Sequence, residues 1–420
     1  MITHKALFPD IIRPKILNQQ EGSTMNKYIF AERMKNFQAS DIAAILKVTA
    51  DPEIISFAGG LPAPELFPID EMKEVVAHVL EKHGRKALQY STTEGHVPLR
   101  EKIASRMNRK YQTRLESGNI MITTGSQQSL DLLAKMFIDD GDVILCESPT
   151  YLGALSAFNG YNPRYVDVET DEDGMVPEAL EKALKREKRA KAVYVIPDFQ
   201  NPTGKTWTFE RRRAFMEVIN RYNIVVFEDN PYGELRFKGV VPPSLKSFDT
   251  KGQVVLLGTF SKIFCPGMRI AWLCAEGEIY EKFSYLKQAA DLHSPTLSQY
   301  EIDTYMEMYD LDAHVARIID VYKERCDIMI EAMKAELPPS ASYTVPEGGL
   351  FTWVVLPENL SARDLLMTCI EKKVAFVPGG AFFPNGGHEN TLRLNYSNMP
   401  PERIVQGIKL LGNAIKEHLC

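Results

Sequence analysis

The chain has 420 residues, 45% of them hydrophobic and 25% charged, with a formal net charge of −6. That length allows two to three domains of ordinary globular composition, and the acidic balance excludes a broadly basic nucleic-acid surface. No apolar run approaches the roughly 18 residues of a membrane-spanning helix. Residues 1–15 lack the apolar core of a signal peptide. Met25 stands as a second candidate start, with 1–24 as a tail. Cys146, Cys265, Cys274, Cys326, Cys369 and Cys420 are scattered without a CxxC pair, which reads as reduced thiols in a cytoplasmic protein. The eight histidines show no zinc-ligand spacing, so no metal is expected.

In chain order, residues 26–50 read as an N-terminal arm ending in a helix capped by Ser40. Next comes Ala58-Gly59-Gly60-Leu61-Pro62, where paired glycines admit close backbone approach. Helices are expected over 70–83 and 97–112, with a polar loop at 90–95. From 120 onward the pattern alternates. Short apolar runs at 120–123, 143–146, 164–168, 192–196, 224–227, 254–257 and 270–274 read as strands. Helical stretches at 126–137, 177–189 and 209–222 separate them. Continuous apolar strands between helices indicate a mostly parallel seven-stranded sheet covered on both faces, an α/β fold. A long helical region follows at about 276–335. The last part, roughly 341–420, alternates strands (350–356, 391–396) and helices (362–372, 401–417) and reads as a smaller α+β domain.

Open parallel sheets bind ligands at the carboxyl ends of their strands, and four groups fall there. Thr124-Gly125-Ser126-Gln127 opens a helix after the first strand, an arrangement suited to an anion. On its own it is also an ordinary capped helix, and it lacks the Gly-Lys-Ser/Thr of a P-loop. Asn201-Pro202-Thr203-Gly204 is a turn signal after the fourth strand. Glu228-Asp229-Asn230-Pro231-Tyr232 puts an acid at the end of a buried strand. Thr259-Phe260-Ser261-Lys262, with Arg269 seven positions on, puts a lysine on a loop between two apolar runs. A lysine there is costly without a partner or a reaction.

Each signal is modest alone, but the ordered set resembles the fold-type I pyridoxal-phosphate enzymes, in particular the class I/II aminotransferases. Leu61-Pro62-Ala63-Pro64-Glu65-Leu66-Phe67-Pro68 resembles the branch containing 2-aminoadipate and kynurenine aminotransferases and the aminotransferase-like domains of MocR-type regulators. The resemblance runs from about residue 30 to the C-terminus. It implies a large cofactor-binding domain over 61–325, a small domain over 326–420, and an arm over 1–60 that packs with the small domain.

The resemblance also implies roles. Lys262 would hold pyridoxal 5′-phosphate covalently through a desolvated amine. Asp229 would face the pyridine nitrogen and keep it protonated. Asn201 and Tyr232 would bond the ring's phenolic oxygen. Gly125, Ser126, Gln127, Thr259, Ser261 and Arg269 would hold the phosphate, the arginine by charge-assisted bonds. Tyr151 would stack on the ring. Tyr90 would reach the phosphate of a second subunit in a homodimer with shared active sites. Arg393, in Thr391-Leu392-Arg393-Leu394, would clamp the substrate α-carboxylate, with Asn201 and the Gly60 backbone beside it. Asn201-Pro202 would be cis.

The implied activity moves an amino group from an L-amino acid of aromatic, aliphatic or 2-aminoadipate type to a 2-oxo acid, by analogy 2-oxoglutarate. Acidic-substrate members of this branch carry an arginine on the N-terminal helix. Here Asn36 or Phe37 stands at that place, with Arg33 and Lys35 only nearby, which puts 2-aminoadipate in doubt. The same scaffold supports lyases and decarboxylases. A cofactor-sensing regulator would need a DNA-binding unit ahead of Gly59, and no basic recognition helix is read there. A nicotinamide dehydrogenase is disfavoured because no GxGxxG follows the first strand.

Overall fold

The structure, a computed structural model, describes residues 28–37 and 51–419. Residues 1–24, Met25, the expected helix after Ser40, and Cys420 lie outside the described residues. A short strand β1 (Ile55–Ser56) precedes helices α1 (Ile69–Ala87) and α2 (Val97–Tyr111). The alternating part runs β2 (Ile120–Thr123), α3 (Ser126–Phe137), β3 (Val143–Cys146), α4 (Leu152–Asn159) and β4 (Arg164–Asp167). It continues with the hairpin β5 (Thr170–Asp171) and β6 (Gly174–Met175), α5 (Pro177–Arg186), β7 (Ala190–Val195) and α6 (Phe209–Ile219), then β8 (Val225–Asp229), β9 (Val254–Thr259) and β10 (Ala271–Cys274).

The large sheet has the order β2-β10-β9-β8-β7-β3-β4. β10 is antiparallel to both its neighbours, and every other pairing is parallel. The strands read as unbroken apolar runs because both faces are covered. Ile144, Tyr194 and Phe227 pack on one side, and Leu145, Val193 and Val226 on the other. Reversal of β10 places the ends of β2, β3, β7, β8 and β9 and the start of β10 along one edge. The four groups singled out in the sequence lie there.

The helical region after β10 is three helices, α7 (Gly277–Asp291), α8 (Thr296–Met308) and α9 (Leu311–Glu336). Leu292 adopts a left-handed backbone and Pro295 ends the intervening turn, so α7 cannot run on. Asp310 accepts from the Asp312 and Ala313 N–H groups and starts α9 afresh. α9 is 26 residues long and passes from the large part to the small one. Along it, the Tyr322 hydroxyl accepts from Ala63 N at 3.0 Å, and Arg325 bonds both Ser397 O and Glu65. These bonds fix the 61–65 stretch.

The small part holds β11 (Ser342–Tyr343), β12 (Phe351–Val355), α10 (Ala362–Glu371), β13 (Val374–Ala375), β14 (Val377–Pro378), β15 (Thr391–Asn395) and α11 (Pro401–Leu419). β11-β12-β15-β14 form an antiparallel sheet, while β1 pairs in parallel with β13. The chain from Ile54 to Ala58 is thereby built into the small part. The Phe37 side chain lies instead against Gly160, after α4 of the large part. No helix among the described residues is long and apolar enough to cross a membrane.

Candidate active site

β9 ends at Thr259, and the next residues turn sharply. Thr259 Oγ1 accepts from Ser261 N at 3.0 Å and donates to Ser261 Oγ at 3.0 Å. This side-chain-to-backbone bond sets the turn that presents Lys262. Lys262 Nζ donates to Gly60 O at 2.8 Å, so the paired glycines approach the lysine from 202 positions upstream. Burial of the amine, with the Arg393 and Arg269 charges nearby, pulls its pKa down to about 8.

Arg269 ends a single turn of 3-10 helix in a left-handed conformation. Its guanidinium lies beside the Ser261 hydroxyl at 3.4 Å and against Gly125. A Cβ on Gly125, whose φ is 77°, would collide with the guanidinium, so glycine admits the arginine to the first turn of α3. Ser126 Oγ is buried there without a partner among the described residues. Free helix N–H groups, the Ser126 and Ser261 hydroxyls and a guanidinium together suit a phosphate. Gln127 is exposed and ties α3 to α4 through Gly153 O at 2.7 Å. Gly153 in turn leaves room for the Tyr151 ring, which a Cβ there would strike.

Asp229 closes β8. Burial raises its carboxyl to about 6, opposed only by the Tyr194 hydroxyl, which donates to Oδ2 at 2.9 Å. Oδ1 is buried with no partner among the described residues, so it has room for a cationic N–H. Asn201 bridges two groups. Its Nδ2 donates to the Tyr232 hydroxyl at 3.3 Å and its Oδ1 accepts from Arg393 Nη1 at 2.8 Å. The Asn201-Pro202 peptide is cis, and so is Ser148-Pro149. Arg393 Nη2 donates to Ala58 O at 2.6 Å.

All the residues expected at the site except Gly125 and Tyr90 line one cavity of about 500 Å³. Gly125 stands just behind it as the cap of α3. Tyr90 is 79% exposed, with its ring edge on His293 at 5.8 Å, and does not line the cavity of its own chain. Arg33, Lys35, Asn36 and Phe37 do not line it either. Lys35 is paired with Glu32. A cleft of about 730 Å³ lies behind Pro149 and Gln200, but its one lysine, Lys205, is paired with Glu172. The smaller cavity holds Lys262, whose amine has no carboxylate partner among the described residues. No cluster of three metal-ligating side chains occurs among the described residues.

Sequence reasoning missed Tyr194 and Phe351. Tyr194 carried a usable signal, since a phenol inside a fully buried parallel strand must find a polar partner. Phe351 lines the cavity from β12, but nothing in its own stretch points there.

The amine pKa has a measurable consequence. An unfolded lysine keeps its proton to about 10.4, whereas Lys262 releases it at about 8. The cofactor-free fold therefore gains stability as pH rises through that window. Only the free amine attacks an aldehyde. Mixing cofactor-free protein with pyridoxal phosphate should produce the visible absorbance band at a rate that rises about tenfold per pH unit below 8 and levels off above it. A pH-independent rate from 6 to 9 would contradict this placement of the amine.

A buried amine, a carboxylate with one unpartnered oxygen and a phosphate cradle at the carboxyl edge of a parallel sheet suit a cofactor that carries both an aldehyde and a phosphate. The aminotransferase class I and II family matches residues 61–411. Aromatic-amino-acid aminotransferase 1 of Thermococcus litoralis is 43% identical over 414 residues, covering 97% of this chain and 99% of that one. The 2-aminoadipate transaminase of Thermus thermophilus is 43% identical over 390 residues, covering 92% and 96%. The solved structure of Pyrococcus horikoshii kynurenine aminotransferase, in complex with PMP, superposes with a TM-score of 0.89 at 40% identity, covering 93% and 98%. The chain belongs to the class I and II aminotransferases. It is a fold-type I enzyme that uses pyridoxal phosphate. The unpartnered Asp229 Oδ1 and Ser126 Oγ fit that group.

Proposed function

We propose that this chain transfers the amino group of an aromatic or aliphatic L-amino acid to a 2-oxo acid, with 2-oxoglutarate as acceptor. The observation that carries this reading is the placement of Lys262 and Arg393 in one cavity with Asp229. When bound, pyridoxal phosphate condenses with amines and accepts the electron pair released at the substrate Cα. The chain's own groups do the rest. Arg269, Ser126, Ser261, Thr259 and Gln127 hold the phosphate, with Gly125 admitting the arginine. Asp229, held by Tyr194, would keep a proton on the ring nitrogen. Tyr151 would pack against the ring, and Tyr232 and Asn201 would bond the phenolic oxygen. Arg393 and the Gly60 backbone take the substrate carboxylate. Lys262 Nζ would be the base that takes the proton leaving the substrate Cα.

Arg393, Arg269 and Lys262 are the only cationic side chains lining the cavity among the described residues, and each has a role above. None is left for a side-chain carboxylate, which favours uncharged donors. Two relatives, an aromatic-amino-acid and a 2-aminoadipate enzyme, mark the ends of the range. The test is a single-turnover absorbance scan with one donor at a time and no acceptor. Loss of the visible band with stoichiometric 2-oxo acid for phenylalanine, tyrosine or leucine, and not for 2-aminoadipate, supports the reading. A band that persists with every donor, or release of ammonia or carbon dioxide, refutes it in favour of sensing, elimination or decarboxylation.

The proposal extends to assembly. Tyr90, exposed in this chain, serves the phosphate site of a second copy, so the active form is a homodimer; the scattered cysteines favour a cytoplasmic one. A fully active monomer by light scattering would contradict it. We divide the chain into a large unit over 61–325 and a small one over 326–420, with α9 shared between them.

A further inference from the structure

Arg393 is buried, yet no carboxylate pairs with it among the described residues. Its fork donates to Asn201 Oδ1 and Ala58 O, and its Nε has no partner among the described residues. Burial lowers its pKa to about 10, and a guanidinium remains a cation there. A buried cation without a counter-charge is costly. Two phenyl rings stand where acids would otherwise be expected. Arg393 Cζ lies 4.2 Å from the centroid of Phe351 and 5.1 Å from that of Phe382.

The sheet register explains the first contact. Trp353 opposes Arg393 and Phe351 opposes Asn395, so Phe351 is the diagonal neighbour of Arg393 across the strand pair, within reach of a long side chain. Both rings are themselves held. Phe351 meets Tyr232 edge-on at 5.8 Å, and a Cβ on Gly60 would lie 3.0 Å from its Cζ. Phe382 meets Trp353 edge-on at 5.7 Å, and its carbonyl accepts from Thr150 N at 2.9 Å. Phe351 lines the cavity, whereas Phe382 does not.

From this geometry we infer that Phe351 and Phe382 form an aromatic clamp that aims the Arg393 guanidinium into the cavity, making them positioning residues for the substrate carboxylate. The π faces stabilise the buried cation without neutralising it, which leaves the positive charge for the ligand. An acid in place of either ring would pair with the arginine and compete with the substrate. The inference rests on Arg393 as the carboxylate clamp.

The test uses holoenzyme and 3-phenylpropanoate, a carboxylate with no amine to react. Its dissociation constant is read from the shift of the visible band, beside cofactor affinity and melting temperature. Phe351→Leu and Phe382→Leu should each weaken the probe about tenfold while cofactor affinity holds. Ring-fluorinated phenylalanine at 351 keeps the shape and withdraws π charge, so binding should weaken in step with fluorination. Leucine variants that bind the probe as wild type does overturn the clamp. If they lose cofactor or fold, the fluorinated series decides, and unchanged binding across it overturns the clamp. Arg393→Lys with wild-type probe affinity would instead overturn the reading of Arg393 itself.

Discussion

Replacing Lys262 with alanine should lower steady-state transamination by about four orders of magnitude, measured as 2-oxo acid formed per active site. The size of the loss follows from two tasks resting on one atom. In the proposed mechanism the amine would hold the aldehyde cofactor and then carry the proton from Cα. No other amine lines the cavity among the described residues, and the guanidinium groups of Arg269 and Arg393 are far too weakly acidic to give up a proton and serve as the base. The visible band of the bound cofactor should shift, because the lysine no longer contributes to the chromophore. The phosphate contacts proposed for Arg269 and Ser261 do not involve the lysine, so the cofactor should still bind. Retention of turnover within tenfold of wild type would remove Lys262 from the mechanism. An added primary amine that restores part of the rate would strengthen its assignment as the proton carrier.

Asp229→Asn should lower turnover by about two to three orders of magnitude, the usual effect of removing a preorganised charge from a buried site. An amide is neutral and cannot hold a proton on the ring nitrogen. The same variant should show an opposite effect on the cofactor-free fold. The Asp229 carboxyl titrates at about 6 in the fold, against 3.8 for its ordinary value. For an acid raised in this way, the unfavourable contribution is absent below the ordinary value and complete above the folded one. The apoprotein therefore loses up to roughly 3 kcal/mol from this group as pH rises from 4 to 6. At pH 8 the cofactor-free Asp229→Asn protein should melt above cofactor-free wild type, and the gap should narrow as pH falls through 6. With cofactor bound, the cationic ring nitrogen supplies the missing partner and the order should reverse. An apoprotein variant less stable than wild type at pH 8 would show that Asp229 already has a partner without the cofactor.

The sheet and its ligand edge were legible because their signals are local. β2, β3, β8, β9 and β10 are short apolar runs, and each strand-end group is a contiguous tetrad or pentad, with Arg269 only seven positions beyond the last. What was not legible depends on partners far apart in sequence. Phe351 reaches the site only because β12 pairs with β15, and Tyr194 meets Asp229 only because β7 and β8 align. The break at Leu292 has no glycine or adjacent proline to announce it. The N-terminal stretch reads as an arm from composition, but the sequence does not show that Phe37 settles against Gly160. The resemblance supplied the order of the set, and the register supplies the geometry.

The charge distribution has a consequence for how the enzyme is loaded. A chain of formal charge −6 carries Lys262, Arg269 and Arg393 against Asp229 in one cavity. The net charge disfavours anions at long range, while this cavity, with three cations against one acid, favours them. A phosphate-bearing aldehyde is steered toward that spot, so its capture should slow as ionic strength rises. A zwitterionic amino acid carries no net charge to steer, and its encounter should be nearly insensitive to salt. Loading of the coenzyme and turnover of substrate thus respond differently to the same ionic environment.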